Sequence, residues 1–132
     1  MEAKATIIFC DSIVNNMSNG RITPSILRPL TNIIPRNIPG NYTFAVFFSI
    51  ENISLGNHKL HIVLNDTKGN ILFDTNDIEL NPSLNTVGDY YAPIEISAEV
   101  RNAVIENDGE ITAIVYLDGN NIGSQKLEVI KQ

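Results

Sequence analysis

Cys10 and Asp11 are the first neighbouring residues whose side chains could do chemistry together, as a nucleophile beside an acid. They lie in Ala5–Val14, an apolar, β-prone run that predicts a strand. Consecutive strand residues point to opposite faces of a sheet, so the two side chains cannot act on one substrate. We therefore expect Cys10 to be buried and inert, which is the usual state of a free cysteine.

Asp11 needs a partner if its face of the strand turns toward the core beside Phe9 and Ile13. An unpaired buried carboxylate is costly, so it would accept amide hydrogens or pair with an arginine. Our hypothesis is that Asp11 holds the turn after the first strand. On this hypothesis, the substitution Asp11→Ala lowers the melting temperature by several degrees.

His58 and His61 are the only histidines, and they could be metal ligands. Three residues apart on a predicted strand, they lie on opposite faces, which favours surface or turn roles. The oxygen-rich segment Asp74–Glu79 lacks the glycine and spacing of an EF-hand loop. The chain has no Gly-rich phosphate loop, Gly-x-Ser-x-Gly elbow or His-Glu-x-x-His motif. The sequence therefore predicts no catalytic residue, no metal site and no cofactor.

Tyr90 and Tyr91 are the predicted binding residues. They end the loop-like stretch Asn81–Ala92, and exposed aromatic rings supply rigid contact area with a hydroxyl group. We also expect at least one of the two to cover the edge of the core. A second candidate surface is Ile22–Ile38, which has more isoleucines than a solvated loop needs. These isoleucines are either tucked under the sheets or presented to a partner.

The elements that position these residues are predicted to be strands. The first spans Lys4–Val14 and ends at the turn-forming residues Asn15–Gly20. The prolines that follow favour an irregular edge strand over Ser25–Ile34, because an edge tolerates a missing amide donor. A single helical turn at Thr23-Pro24 remains an alternative.

Tyr42–Ile50 alternates strictly and predicts a central strand. Gly-containing turns between β-prone runs predict two antiparallel hairpins, Leu60–Asn65 with Ile71–Phe73 and Glu110–Leu117 with Ile122–Ile130. Two further strands are predicted. One is the short run Ile78–Leu80, and the other is Ile94–Arg101, in which apolar residues alternate with polar ones. Seven or eight strands with little helix indicate a single all-β domain over residues 1–132, an antiparallel immunoglobulin-like β-sandwich, with an open barrel as the alternative.

The composition narrows the class of partner and compartment. The chain has 132 residues and a net charge of −6, which disfavours nucleic acid and anionic membranes. No apolar run approaches the roughly 20 residues of a membrane span. One cysteine cannot form an internal disulfide, and the first residues do not resemble a signal peptide. We expect a cytoplasmic protein.

The order of several short features resembles an uncharacterised bacterial family of immunoglobulin-like domains of unknown function. The resemblance implies a sandwich fold and no known catalytic residues. It spans nearly the whole chain, apart from the stretch between Asp74 and Tyr91. The features that carry it are Ile8-Phe9-Cys10-Asp11, Asn19-Gly20, the prolines before Tyr42, Gly56-Asn57-His58, Gly69, and Asp118-Gly119 before Ile122-Gly123.

Taken together, these patterns predict a non-catalytic protein–protein interaction module of a bacterium or phage, because recognisable chemistry is absent while edges and loops are available. Self-association through an edge strand would give a homodimer. Two other classes remain open. A carbohydrate-binding module would use Tyr90 and Tyr91 as a stacking platform, and a small enzyme would need carboxylates that converge in a pocket.

Overall fold

A computed structural model of the chain describes residues 2–81 and 86–132. Within these ranges the regular secondary structure consists entirely of β-strands. Seven strands have nine residues or more, and five short strands of two to four residues bring the number to twelve, so the prediction of seven or eight is wrong. The strands are β1 (Lys4–Ser18), β2 (Arg21–Pro29), β3 (Asn32–Ile33), β4 (Gly40–Glu51), β5 (His58–Asp66), β6 (Ile71–Asp74), β7 (Ile78–Leu80), β8 (Thr86–Val87), β9 (Tyr90–Tyr91), β10 (Ile94–Ile105), β11 (Gly109–Leu117) and β12 (Asn120–Val129).

The first sheet has the strand order β10-β4-β1-β2, and all its pairs are antiparallel. Strand β4 contains the predicted run Tyr42–Ile50 and lies between two neighbours, which confirms its central position. Its inward side chains alternate with partly exposed ones, and Phe44 and Phe48 are fully buried. The strict period of two in the sequence therefore marks the side of the strand that faces the core.

The second sheet has the order β3-β12-β11-β5-β6, and β7 also pairs with β5. Both predicted hairpins are confirmed, β5 with β6 and β11 with β12. The turn between β11 and β12 has positive φ at Asp118 (51°) and Gly119 (82°), the conformation that tight hairpins require. The edge strand β3 pairs in parallel with β12, the last strand of the sequence.

Both sheets contribute side chains to one hydrophobic core. Phe9 and Phe44 of the first sheet pack with ring centroids 6.1 Å apart, and Leu60 and Leu127 of the second sheet are fully buried. The two sheets approach each other closely at Gly123, where a Cβ atom would lie 2.6 Å from the carbonyl oxygen of Ala5. A residue without a side chain is needed at this contact.

Three boundaries differ from the prediction. Strand β1 continues to Ser18, because the residues assigned to a turn pair with β2 across the Asn19-Gly20 connection. The edge strand therefore spans Arg21–Pro29, whereas the predicted strand spans Ser25–Ile34, so it both starts and ends earlier than predicted. After Pro29 the chain passes to the second sheet, where it forms β3. Thr23-Pro24 lies inside β2 and forms no helical turn.

The loop predicted at Asn81–Ala92 falls partly on residues 82–85, including Pro82, which lie outside the described residues. From Thr86 to Tyr91 the chain forms the small antiparallel hairpin β8–β9. In the described parts of the chain, no helix is long and apolar enough to cross a membrane.

Candidate functional site

The two predicted binding tyrosines have different surroundings. Tyr91 is 3% exposed, its hydroxyl donates to the carbonyl oxygen of Gly56, and its ring meets that of His58 edge-on with centroids 6.4 Å apart. Tyr90 is half-buried, and its backbone forms a bridge with Ser54. The expectation that one tyrosine covers the core edge is confirmed. A binding role of Tyr90 and Tyr91 stays a prediction.

His58 joins two loops that are far apart in the sequence. Its Nδ1 lies 2.6 Å from Asp118 Oδ2 and its Nε2 lies 2.8 Å from the carbonyl oxygen of Ser54. Both oxygens can accept, so this arrangement is best satisfied when both ring nitrogens carry hydrogen. The hydrogen bond with Asp118 is the main cause that raises the pKa of His58 and lowers that of Asp118. The pair fastens the loop before β5 to the β11–β12 turn.

Ser54, His58 and Asp118 have the residue types of a serine-hydrolase triad, although the sequence spacing does not suggest one. The hydroxyl oxygen of Ser54 lies 3.4 Å from His58 Nε2. The nearer partner of Nε2, however, is the carbonyl oxygen of the same serine. A ring that carries hydrogen on both nitrogens has no lone pair with which to accept the serine proton as a general base. In this geometry His58 links Ser54 to Asp118.

His61 has a carboxylate partner of its own, since its Nε2 lies 2.7 Å from Asp74 Oδ1. Asp74 also accepts the amide hydrogen of Asn76 at 2.7 Å, and the neighbouring hydroxyl of Thr75 accepts the amide hydrogen of Ile62 at 2.9 Å. These hydrogen bonds use oxygen atoms of the segment 74–79 to attach it to β5. Within the ranges 2–81 and 86–132, no three potential metal-binding residues are clustered.

Cys10 and Asp11 differ in burial. Cys10 is fully buried and its Sγ donates to the carbonyl oxygen of Ala45 at 3.6 Å, and burial is the main cause that raises the pKa of its thiol. The expectation of a buried cysteine is confirmed. The Asp11 side chain is 48% exposed, and its Oδ2 lies 4.0 Å from Arg28 Nη1. The hypothesis that it faces the core and holds the next turn is wrong, because β1 has left β4 at this point and the turn forms only at Asn19-Gly20.

The second half of β1 separates from the sheet. Lys4–Cys10 pairs with β4, whereas Ser12–Ser18 pairs only with β2. We call the two-stranded segment of Ser12–Ser18 and Arg21–Leu27 the β1–β2 ribbon. A groove of about 340 Å³ opens beside its base, between residues of β1 and residues of β4 and β10. The ribbon therefore projects from the sheet and has two accessible faces.

The apolar face of the ribbon follows from the register. Residues directly opposite each other in an antiparallel pair share a face. Met17 is 75% exposed and Ile22 is 68% exposed, the highest values among the large apolar side chains of the described chain. The other face is mostly polar and carries Val14 and Leu27 among serine, asparagine and threonine. The apolar face consists of three opposed pairs, Ile13 with Ile26, Asn15 with Pro24, and Met17 with Ile22.

The free edges of this sheet are poor sites for adding another strand. Pro24 and Pro29 in β2 have no amide hydrogen, and Arg28 has a positive φ of 56°. At the opposite edge, β10 has an irregular register between Val100 and Ala103. Such interruptions are known to oppose edge-to-edge pairing. A contact on the ribbon would therefore involve side-chain packing, and the edge-strand homodimer stays an untested prediction.

The sequence interpretation did not recognise Met17 as a strand residue, because Asn15–Ser18 is rich in turn-forming types. A signal was present in the Asn19-Gly20 dipeptide, with Met17 and Ile22 at equal distances on either side. Asn-Gly between apolar residues is the strongest short-range sign of a two-residue hairpin. The φ values of 52° at Asn19 and 73° at Gly20 agree with that turn.

Fold and site together define an all-β protein of two principal sheets with a projecting, partly apolar hairpin. The model of the Family of unknown function (DUF6941) matches residues 5–130, and the chain belongs to this family. The resemblance to an uncharacterised family is thereby confirmed. No curated protein matches the chain.

A solved structure with some likeness is that of the Pseudomonas fluorescens alkylpurine DNA glycosylase AlkC bound to DNA containing an abasic site analog. The two chains are 12% identical with a TM-score of 0.47, and the match covers 97% of this chain and 30% of the other. This chain thus spans less than a third of the glycosylase. A likeness of this size carries no inference about fold or activity.

Proposed function

We propose that this chain is a non-catalytic protein–protein interaction module and that the apolar face of the β1–β2 ribbon contacts the partner. The observation that carries the proposal is the position of the exposed apolar side chains. Four of the nine large ones in the described chain lie on the ribbon. Met17 and Ile22, the two most exposed, form an opposed pair on its apolar face, whereas Val14 and Leu27 lie on the other face. Burying a side chain such as Met17 or Ile22 gains about 1.5–3 kcal/mol, so a partner could gain affinity from a few residues.

The charge of the ribbon favours a particular kind of partner. Its base and tip carry Asp11, Arg21 and Arg28, whereas the whole chain has a net charge of −6. The ribbon is thus the less acidic part of an acidic protein. It is suited to a neutral or acidic protein surface with an apolar groove, because such a surface would not be repelled by the ribbon.

The finer features of the proposal concern fold type and setting. We propose that the two principal sheets form an immunoglobulin-like antiparallel sandwich, which the shared core supports. We also propose a bacterial or phage protein that works in the cytoplasm. The single, fully buried cysteine suits a reducing compartment.

Site-specific photocrosslinking in the host cell tests this function. A photoreactive amino acid at Met17 should give one discrete adduct with another protein, and the additional substitution Ile22→Ser should remove that adduct. Ile71 is the matched control, since it is 61% exposed and lies on β6 of the other sheet. The same adducts from positions 17 and 71 would contradict the proposal. An adduct of the chain with itself, together with dimers in sedimentation, would identify the partner as a second copy.

A further inference from the structure

The outer face of the second sheet carries an aromatic pair that the proposed function does not use. His61 on β5 is directly opposite Tyr116 on β11. Their ring centroids are 6.0 Å apart and the ring planes differ by 36°. Both side chains are half-buried. The two rings are neighbours on this face and are tilted relative to each other by this angle, and we call them the His61–Tyr116 platform.

The orientation of His61 is fixed before any ligand arrives. Asp74 Oδ1 lies 2.7 Å from His61 Nε2. The amide of Asn76 donates to Asp74, which is the main cause that lowers the pKa of this carboxyl. An ionised carboxylate only accepts, so the hydrogen of this bond is on His61 Nε2. A ring held by a supporting hydrogen bond is preorganised for binding.

Polar groups without partners surround the platform. A concavity of about 460 Å³ is lined by Lys59, His61, Asp77, Tyr116, Asp118 and Gly119. Its volume lies within the range of roughly 300–1,000 Å³ that is typical of small-molecule sites. In the part of the chain that the structure describes, the Lys59 ammonium, the Asp77 carboxylate and the Tyr116 hydroxyl have no hydrogen bond or ion pair. These groups can donate to a ligand and accept from it.

We propose that the His61–Tyr116 platform binds a neutral pyranose sugar. The C–H face of a sugar ring packs on aromatic rings, which carry negative charge on their faces. The concavity is lined by charges of both signs, Asp77 and Asp118 with Lys59, so neither an anionic nor a cationic ligand would meet attraction alone. Sugar hydroxyls both donate and accept, so they match the ammonium and the carboxylate together. This site is separate from the β1–β2 ribbon and from Tyr90 and Tyr91, whose carbohydrate contact stays a prediction.

Amide NMR titration with neutral hexasaccharides of glucose, mannose and N-acetylglucosamine tests the site. At least one of them should shift the amide signals of Lys59, His61 and Tyr116. Tyr116→Ala should weaken that binding about tenfold or more, which corresponds to about 1.4 kcal/mol. Tyr42→Ala, at a half-buried position on β4 of the first sheet, is the matched control and should bind as the unaltered chain does.

Three results would overturn the inference. The first is no shift with any of the neutral sugars up to about 10 mM, which would place the affinity below about 3 kcal/mol. The second is tighter binding of hexagalacturonate or tetralysine at the same amides. The third is unchanged sugar binding by folded Tyr116→Ala protein. If this variant does not fold, Lys59→Met at an exposed position replaces it and should weaken binding several-fold.

Discussion

The two halves of strand β1 have the same backbone conformation and different surroundings. Lys4–Cys10 pairs with β4 and includes the buried residues Ile7 (8% exposed), Phe9 (2%) and Cys10 (0%). Ser12–Ser18 pairs with β2 and contains no buried residue. The first half therefore contributes to the free energy of folding, whereas apolar side chains of the second half remain available for contact. One strand can thus serve the core and a surface.

The largest expected effect lies in the first half of β1. Phe9→Ala removes a fully packed ring from the core and should lower the free energy of unfolding by about 3–5 kcal/mol. Met17→Ala, at an exposed position of the second half, should change it by less than about 0.5 kcal/mol. Urea unfolding of both variants measures the difference. Equal losses would mean that the two halves do not differ as described.

Gly123→Ala examines the contact between β12 and the beginning of β1. The added Cβ would lie 2.6 Å from the carbonyl oxygen of Ala5, and only a backbone shift could relieve the clash. We expect a loss of about 1–3 kcal/mol in the free energy of unfolding, as for overpacking in a core. Ser124→Ala, at the exposed neighbouring position, is the control and should change stability by less than about 0.5 kcal/mol. An unchanged Gly123→Ala protein would contradict the close approach.

The protection of backbone amides from exchange should depend on pH around His58 and not in the ribbon, because the ribbon contains no histidine. His58 has a raised pKa in the folded protein. The hydrogen bonds of His58 therefore stabilise the folded protein fully when the pH is below the ordinary histidine pKa of about 6.5. This stabilisation is lost as the pH rises through the higher pKa that His58 has in the folded protein. The amide of Lys59 donates to Asp118 Oδ1, and the amide of Leu55, next to Ser54, donates to the carbonyl oxygen of Asp89. Amide exchange, corrected for its intrinsic pH dependence, should show weaker protection at these two amides on the alkaline side. Protection across the ribbon should stay constant.

The control for this experiment is His58→Gln, in which the pH dependence at the two amides should disappear. A pH dependence that persists in this variant would assign the effect to another group. His61 is the other histidine of the chain and lies on the same strand, and His61→Gln should leave the effect in place.

The smallest expected effect is that of Asp11→Ala, at the junction between the two halves. The Asp11–Arg28 pair is exposed on both sides and its atoms are 4.0 Å apart. Exposed pairs of this kind contribute less than about 1 kcal/mol. A melting curve close to that of the unaltered protein is expected, in place of the loss of several degrees that a buried carboxylate would cause. A large loss would restore the view that Asp11 has a structural role.

The sequence predicts those strands whose burial depends on local alternation. The run Tyr42–Ile50 becomes β4, and the Gly-containing turn at Asp118-Gly119 becomes the β11–β12 hairpin. Both elements are determined by residues that are close together in the chain. The alternation of apolar residues predicts the strand, and the turn residues predict the hairpin. The end of β1 is mispredicted because pairing with β2 overrides the turn preference of Asn15 and Asn16.

The candidate sites depend on residues that are distant in the sequence. His58 meets Asp118, and Tyr116 lies opposite His61, only because β5 and β11 are neighbours in the second sheet. No local pattern contains that pairing. The exposure of Met17 and Ile22 likewise depends on β1 separating from β4, which alternation along β1 cannot reveal. Strand order is the information that the sequence interpretation lacked.

The parallel pairing of β3 with β12 determines when the second sheet can be completed on the ribosome. Asn32 pairs with Glu128, so β3 can pair with β12 only after Glu128 has been synthesised. The β1–β2 ribbon requires only residues up to Pro29. At about 5–20 residues per second, roughly 5–20 s separate the synthesis of the two elements. For that interval the apolar hairpin is the part of the nascent chain that a chaperone or a waiting partner can meet first.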